Sequence, residues 1–352
     1  MMEWMIYGAN GYTGQLIIEE ALKRGWRPIL AGRSREAIEP LAQKYGLPAR
    51  IFSLDKPDAV QMGLRGVELV LHCAGPFSKT CAPMVNACLE VGAHYLDITG
   101  EIDVFEYCHQ LDTAAKQRGI VVMPGAGFDV VPTDCLASIL KLELPNATHL
   151  VLAFDAPGGP SPGTAKTAIE GLGKGGRARV DSVMTKVPLA WKTRTFDKNG
   201  EQRLAMTIPW GDVYTAFVST GIPNIEVYMC VPPSTVDQLR KLRRLGPLLN
   251  FSLVQKFLKA QAVKKVRGPS EQKRADSETW VWGEVTDNAG RQVSSILKTP
   301  NGYTLTALAA LGVVNKLMAA QRPIGGFYTP SRLMGADYVL RLPGVKRVSA
   351  SK

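Results

Sequence analysis

The chain contains no apolar run of the roughly 18 residues that a membrane-spanning helix requires, so no span is expected. Met1-Met2-Glu3 leads straight into a short apolar stretch, so no signal peptide is expected and the setting reads as cytoplasmic. Cysteines at 73, 81, 88, 108, 135 and 230 include no Cys-x-x-Cys pair, and the four histidines, at 72, 94, 109 and 149, are scattered. No metal site is therefore expected, and the thiols read as reduced. No tyrosine is followed by lysine four positions later, which excludes the Tyr-x-x-x-Lys chemistry of short-chain dehydrogenases. Internal repeats and low-complexity linkers are absent as well.

What is present suits a folded protein of two domains: 352 residues, 45% hydrophobic and 21% charged. From Trp4 to Met123, short apolar strands alternate with helical spacings, which predicts a doubly wound, Rossmann-type parallel sheet with helices on both faces. Beyond Pro132 the strands lengthen and are joined by turn signals such as Asn199-Gly200 and Asp287-Asn288-Ala289-Gly290. That predicts an α+β domain with a mixed or antiparallel sheet. The expected divisions are 1–132, a nucleotide domain; 133–300, a substrate domain; and 301–352, a helix and tail whose packing partner is open.

The clearest motif is Gly8-Ala9-Asn10-Gly11-Tyr12-Thr13-Gly14, between the first strand and the first helix. Glycines three apart permit a tight turn and close backbone approach to a pyrophosphate, onto which the helix then points its free N–H groups. A glycine-rich turn without ligand is the plain alternative. In NAD-binding units an acidic residue about 20 positions on accepts the ribose hydroxyls. Here the second strand ends in Gly32-Arg33-Ser34 instead. An arginine fork and a hydroxyl suit the 2′-phosphate of NADP(H), although an arginine on a solvated loop would read the same. Asp55 could border the adenine or be a turn aspartate. Cys73-Ala74-Gly75-Pro76-Phe77 follows the fourth strand, at the sheet edge where ligands bind. Cys73 reads as a small buried residue rather than a nucleophile.

Together with Asp97-Ile98-Thr99-Gly100-Glu101, Pro124–Asp134, Pro209-Trp210-Gly211-Asp212, Ser219–Asn224 and Gly335-Ala336-Asp337-Tyr338, these loops resemble the saccharopine dehydrogenase-like family of NADP-dependent reductases. Within it the likeness is greatest to the trans-acting enoyl reductase branch. The resemblance implies an NADPH-dependent oxidoreductase. The leading expectation is reduction of a C=C bond in an acyl or polyketide-type substrate, free or carrier-bound. The alternatives are imine reduction in an amino-acid conjugate and a non-catalytic NADPH sensor or scaffold.

Hydride transfer needs one partner group to supply or remove a proton. The candidates are Asp129, Asp134 and Asp212, with Asp97, Glu101 and Thr220 nearby in the motifs; for each carboxylate, a cap or loop acceptor is the alternative. The aromatic and apolar stretch Ile208–Met229 leans toward an acyl channel. The helix start at Gly163-Thr164 followed by Lys174–Arg179 could bind an anionic group, but reads more readily as a helix with a basic, glycine-rich C-terminal end. The net charge is +11, and residues 235–274 hold eleven Lys/Arg against Asp237 and Glu271. Such a stretch attracts an acidic carrier protein or an anionic membrane, or is a solvated face; nucleic acid is not expected, and a homodimer is left open. Its stripe of Phe251, Val254, Phe257 and Leu258 is expected to pack on the second sheet, leaving Arg240, Arg243 and Arg244 outward for steering.

Overall fold

A computed structural model describes residues 3–243, 251–319 and 323–348, which divide into two compact units. The first comprises Met1–Val131 with Tyr303–Met334, and the second Pro132–Gly302 with Gly335–Lys352. The C-terminal segment is thus shared: its helix belongs to the first unit and its tail to the second.

The first unit begins β1 (Trp4–Tyr7), α1 (Tyr12–Lys23), β2 (Ile29–Gly32), α2 (Arg35–Tyr45), β3 (Ala49–Ile51) and α3 (Pro57–Gly63). It continues with β4 (Leu69–His72), α4 (Phe77–Val91), β5 (His94–Asp97), α5 (Ile102–Gln110), α6 (Asp112–Arg118) and β6 (Val121–Met123). All six strands are parallel, in the order β6-β5-β4-β1-β2-β3, and a two-residue strand, Gly326–Phe327, joins the β6 edge in the same sense. Residues of β1, β2, β4 and β5 are buried throughout, which is why these strands read as continuous apolar runs. The order reverses between β1 and β4, the crevice where ligands bind in open parallel sheets. The single helix expected over Val104–Arg118 is two, broken at Leu111.

The second unit opens with α7 (Val131–Glu143), β7 (Ala147–Asp155), α8 (Pro162–Leu172), β8 (Gly176–Val180), β9 (Val183–Val187), β10 (Thr193–Lys198) and β11 (Glu201–Thr207). After α9 (Asp212–Thr220), β12 (Asn224–Cys230) and α10 (Pro233–Leu242) come the helix Ser252–Lys265, β13 (Glu278–Asp287) and β14 (Gln292–Pro300). The sheet runs β10-β11-β12-β7-β13-β14, and Lys346–Val348 closes its far edge. Only β12 and β7 pair in parallel among these; the other neighbours are antiparallel. Phe196, Tyr228, Trp280, Trp282 and Ile296 pack together on this sheet. A Cβ at Gly283 would come within 2.9 Å of Leu136 and Leu140, so α7 lies hard against β13. The turn Asn199-Gly200 has both residues at positive φ and joins β10 to β11, the form a two-residue hairpin demands.

Three expectations give way here. Lys174–Arg179 is not a helix end, because α8 stops at Leu172 and Gly176–Val180 is a strand paired with β9. The basic stretch does not face as its stripe implied: Phe251 and Phe257 are exposed, and Val254 and Leu258 only half-buried. Arg243 is not an outward charge, since its guanidinium donates to the carbonyls of Leu189 and Ala190. Arg244 lies outside the described residues.

Candidate functional site

The glycine loop after β1 is built for close approach. Gly8 sits at φ +83°, and a Cβ there would lie 2.7 Å from the backbone nitrogen of Ala74. The loops after β1 and β4 therefore touch. A Cβ at Gly14 would stand 2.6 Å from the Gly8 carbonyl oxygen, so the first turn of α1 rests on the same loop. Gly11 is the N-cap of α1, and no side chain caps that end. A helix start with no capping side chain, on backbone stripped of Cβ atoms, is an anion cradle. Asn10 is exposed and lends its carbonyl to Gln15. Tyr12 meets Tyr303 edge to face at 4.9 Å, and Thr13 is half-buried in the first turn.

Arg33 is exposed at the end of β2, and among the described residues no hydrogen bond or ion pair holds it. Ser34 donates instead to Glu36 at 2.9 Å. That carboxylate is held below its ordinary range by a backbone hydrogen bond and by the Ser34 hydroxyl, so a 2′-phosphate would have to draw Ser34 away from it. Asp55 is tied into its own turn by Ser53. Burial pushes the Tyr7 hydroxyl up to about 12, with Arg33 opposing and Asp55 adding to the shift; both charges therefore reach the floor of this crevice.

On the β4 side, Cys73 donates its backbone N–H to the Tyr7 carbonyl. Burial first, and then the charge of Asp97, pushes its thiol up, so it offers no thiolate at neutral pH. Thr80 donates to the Ala74 carbonyl at 2.7 Å and stands 2.9 Å from Nε2 of buried His72. This pins the Cys73–Phe77 loop, which includes a cis Gly75–Pro76 bond. The carboxylate of Glu101 accepts from the N–H groups of Phe77 and Ser78 at 2.9 and 2.8 Å. It therefore caps α4, whereas no side chain caps the start of α1.

Asp97 is fully buried and accepts from Tyr95, Thr99 and Gly125. Burial raises its pKa to about 6 against the pull of those bonds. It clasps the end of β5 to the loop after β6. Asp129 lies on that loop, partly buried, and a Cβ at Gly100 would be 3.2 Å from its Oδ2. Burial, with the nearby charge of Glu101, pushes Asp129 up to about 7. The loop is held from behind by the helix Gly302–Met318: Thr306 accepts from the Phe128 N–H at 2.9 Å, and Gly127 leaves it room. Tyr303 and Thr306 are supports of the site that spacing could not reveal, lying 178 residues from the loop in the case of Thr306.

The structure thus gathers the glycine loop, Arg33, the Cys73–Phe77 loop and Asp129 along the carboxyl edge of one sheet. Asp134 and Asp212 belong to the second unit. Asp134 is buried and takes a 2.5 Å hydrogen bond from Ser219, joining α7 to α9. Asp212 is fully buried in the first turn of α9, where a carboxylate suits the helix dipole. The apolar stretch Ile208–Met229 is largely core, with Ile208, Val213, Ile222, Ile225 and Tyr228 buried. Trp210, Tyr214 and Phe217 of the same stretch are half-buried.

The family model of the saccharopine dehydrogenase NADP binding domain matches residues 4–123. Residues 4–123 are a saccharopine dehydrogenase NADP-binding domain. The mouse saccharopine dehydrogenase-like oxidoreductase is 29% identical over 214 residues, 53% of this chain and 49% of that one. A trans-acting enoyl reductase of Mycobacterium bovis is 33% identical over 142 residues, 37% of this chain and 33% of that one. The chain thus spans about half, or less, of the length of these curated relatives. Saccharopine dehydrogenase (L-Glu forming) of Saccharomyces cerevisiae shares the fold across 99% of this chain and all of that one, with TM-score 0.64 at 11% identity. In the NADP-binding domain the residues present fit the cofactor: the uncapped helix start over the glycine loop would hold the pyrophosphate, and the exposed Arg33 would reach the 2′-phosphate.

Proposed function

We propose that the protein is an NADPH-dependent oxidoreductase that reduces the C=C bond of an acyl or polyketide-type substrate. The observation that carries the NADPH reading is the helix start without a side-chain cap, set over the Gly8–Gly14 cradle with Arg33 held by no acid. Bound NADPH supplies the hydride. The protein's own part is to hold the substrate and to deliver one proton to the neighbouring carbon. Asp129 suits that part, because a carboxyl raised to about 7 is still half protonated where ordinary aspartates are ionised. It stands on the β6 side of the β1/β4 crevice, opposite the end where Arg33 takes the adenosine ribose. Asp97, though also raised, is spent on three hydrogen bonds. The enoyl reading draws on the relative named trans-acting enoyl reductase.

Reduction of an imine in an amino-acid conjugate has one observation in its favour. Arg179 is buried between carbonyls and the ring of Phe217, with no ion-paired acid among the described residues; a substrate carboxylate would complete it. Steady NADPH oxidation over a panel of enoyl-thioesters and imines decides. Turnover of enoyl-thioesters is the expected result. Turnover of imines alone overturns the substrate class and keeps the oxidoreductase. Tight NADPH binding with no turnover on either leaves a sensor.

A further inference from the structure

The helix Ser252–Lys265 of the second unit turns large apolar side chains to solvent. Phe251 is 61% exposed, Leu253 78% and Phe257 62%. Single exposed apolar residues are ordinary on a folded protein, and Met62, Leu142 and Ile324 are such cases here. Three within seven residues are a patch. Leu253 and Phe257 stand one helical turn apart on one face, while Gln255 donates to the Ile169 carbonyl of α8 and the half-buried Val254 and Leu258 flank it. The helix is thus seated on the unit by one side and presents the other.

The charge of this segment is of one sign. From Phe251 to Arg267 the sequence has Lys256, Lys259, Lys264, Lys265 and Arg267 and no acid, and Lys256 is exposed beside Phe257. No described helix is long and apolar enough to cross a membrane. A ridge of exposed apolar side chains with Lys256 exposed beside it, on a helix of 14 residues whose sequence holds no acid, fits the plane of a lipid interface, its rings and leucine in the acyl boundary and Lys256 among anionic headgroups. A protein partner must offer a pocket for each protruding side chain; a fluid lipid surface opens around them.

We propose that the segment Phe251–Arg267 docks the protein on an anionic lipid surface. The proposal does not depend on which bond the enzyme reduces. The test is flotation of the full chain with vesicles of phosphatidylcholine alone and of an equal mixture of phosphatidylcholine and phosphatidylglycerol. The protein is expected to float with the anionic vesicles only, and less so as salt rises, because screening shortens from about 10 Å at 0.1 M to about 3 Å at 1 M. The pair Leu253→Asn with Phe257→Asn should lower partitioning by about tenfold or more, with NADPH affinity and melting temperature unchanged. Lys256→Glu, at an exposed side chain, should weaken binding at low salt and make no difference at high salt. Failure of the wild type to float, or equal flotation of the double variant, overturns the proposal. So does capture by an acidic carrier protein without vesicle binding, or a dimer that the double variant converts to monomer.

Discussion

In the proposed reading, Arg33 discriminates between cofactors by meeting the one group, the 2′-phosphate, that NADPH has and NADH lacks. An exposed guanidinium without an acid partner can give its whole fork to that phosphate. Arg33→Ala is expected to weaken NADPH binding by about 1.5–3 kcal/mol, the worth of charge-assisted hydrogen bonds, and to leave NADH binding nearly unchanged, as titration calorimetry would show. Asp129 gives a pH signature. Its carboxyl is raised to about 7, so the acid form prevails below that pH and is lost above it. The kcat/KM profile should be level below about 7 and fall above, and Asp129→Asn should lower the plateau and abolish that limb. A profile identical in the variant would remove Asp129 from proton transfer. Asp97 is a different carboxylate. Asp97→Ala leaves the buried N–H groups of Thr99 and Gly125 without their acceptor and should cost roughly 2–4 kcal/mol in urea denaturation. Asp97→Asn keeps one oxygen for both N–H groups and can donate to the Tyr95 hydroxyl, so it should cost far less. Gly8–Gly14 and Arg33 stood out in the sequence because the reading of each rests on neighbours in the chain. That Glu101 caps α4, or that Thr306 braces Phe128, depends on residues brought together from afar, and spacing carries no trace of it.

At the level of elements, β1, β2, β4 and β5 of the first unit stood out because burial on both faces makes them continuous apolar runs. The β10–β11 hairpin announced itself through Asn199-Gly200. The helical spacing reads over Met84–Val91, yet α4 begins at Phe77 and carries Pro83 inside. The span Val183–Phe196 reads as one strand, whereas β9 and β10 are separate and Ala190 between them takes positive φ. The short edge strand Gly326–Phe327 has too few residues to show any period. The contact of α1 with its loop is the element-scale test of the cradle. Gly14→Ala would drive a methyl toward the Gly8 carbonyl, and overpacking of this kind costs about 1–3 kcal/mol. Because the displaced groups are the ones proposed to face the pyrophosphate, NADPH affinity should fall along with stability; a variant that melts lower yet binds NADPH as tightly would place the phosphates elsewhere.

Over the whole molecule, the NADP-binding unit is discontinuous. The helix Gly302–Met318 contributes Leu305, Leu311, Val313, Val314 and Leu317, all fully buried, and each is worth about 1.5–3 kcal/mol of burial. Their sum rivals the entire stability of a typical domain, about 5–15 kcal/mol. A chain ending at Gly302 should therefore lose the first unit's cooperative thermal transition and fail to bind NADPH, even though residues 4–123 are all present. Retained NADPH binding by that shortened chain would show that the helix is dispensable.

The same discontinuity sets a timetable for synthesis. Gly326 and Phe327 pair with Val121 and Val122, so β6 leaves the ribosome about 200 residues ahead of the strand that covers its edge. At about 5–20 residues per second, that is an interval of roughly 10–40 s. Throughout it the nascent sheet offers a bare edge, and the seat of the closing helix stands open, while the second unit is still being made. The sheet that carries the Gly8–Gly14 loop therefore reaches its closing edge strand only after the second unit's strands β7–β14 have been made.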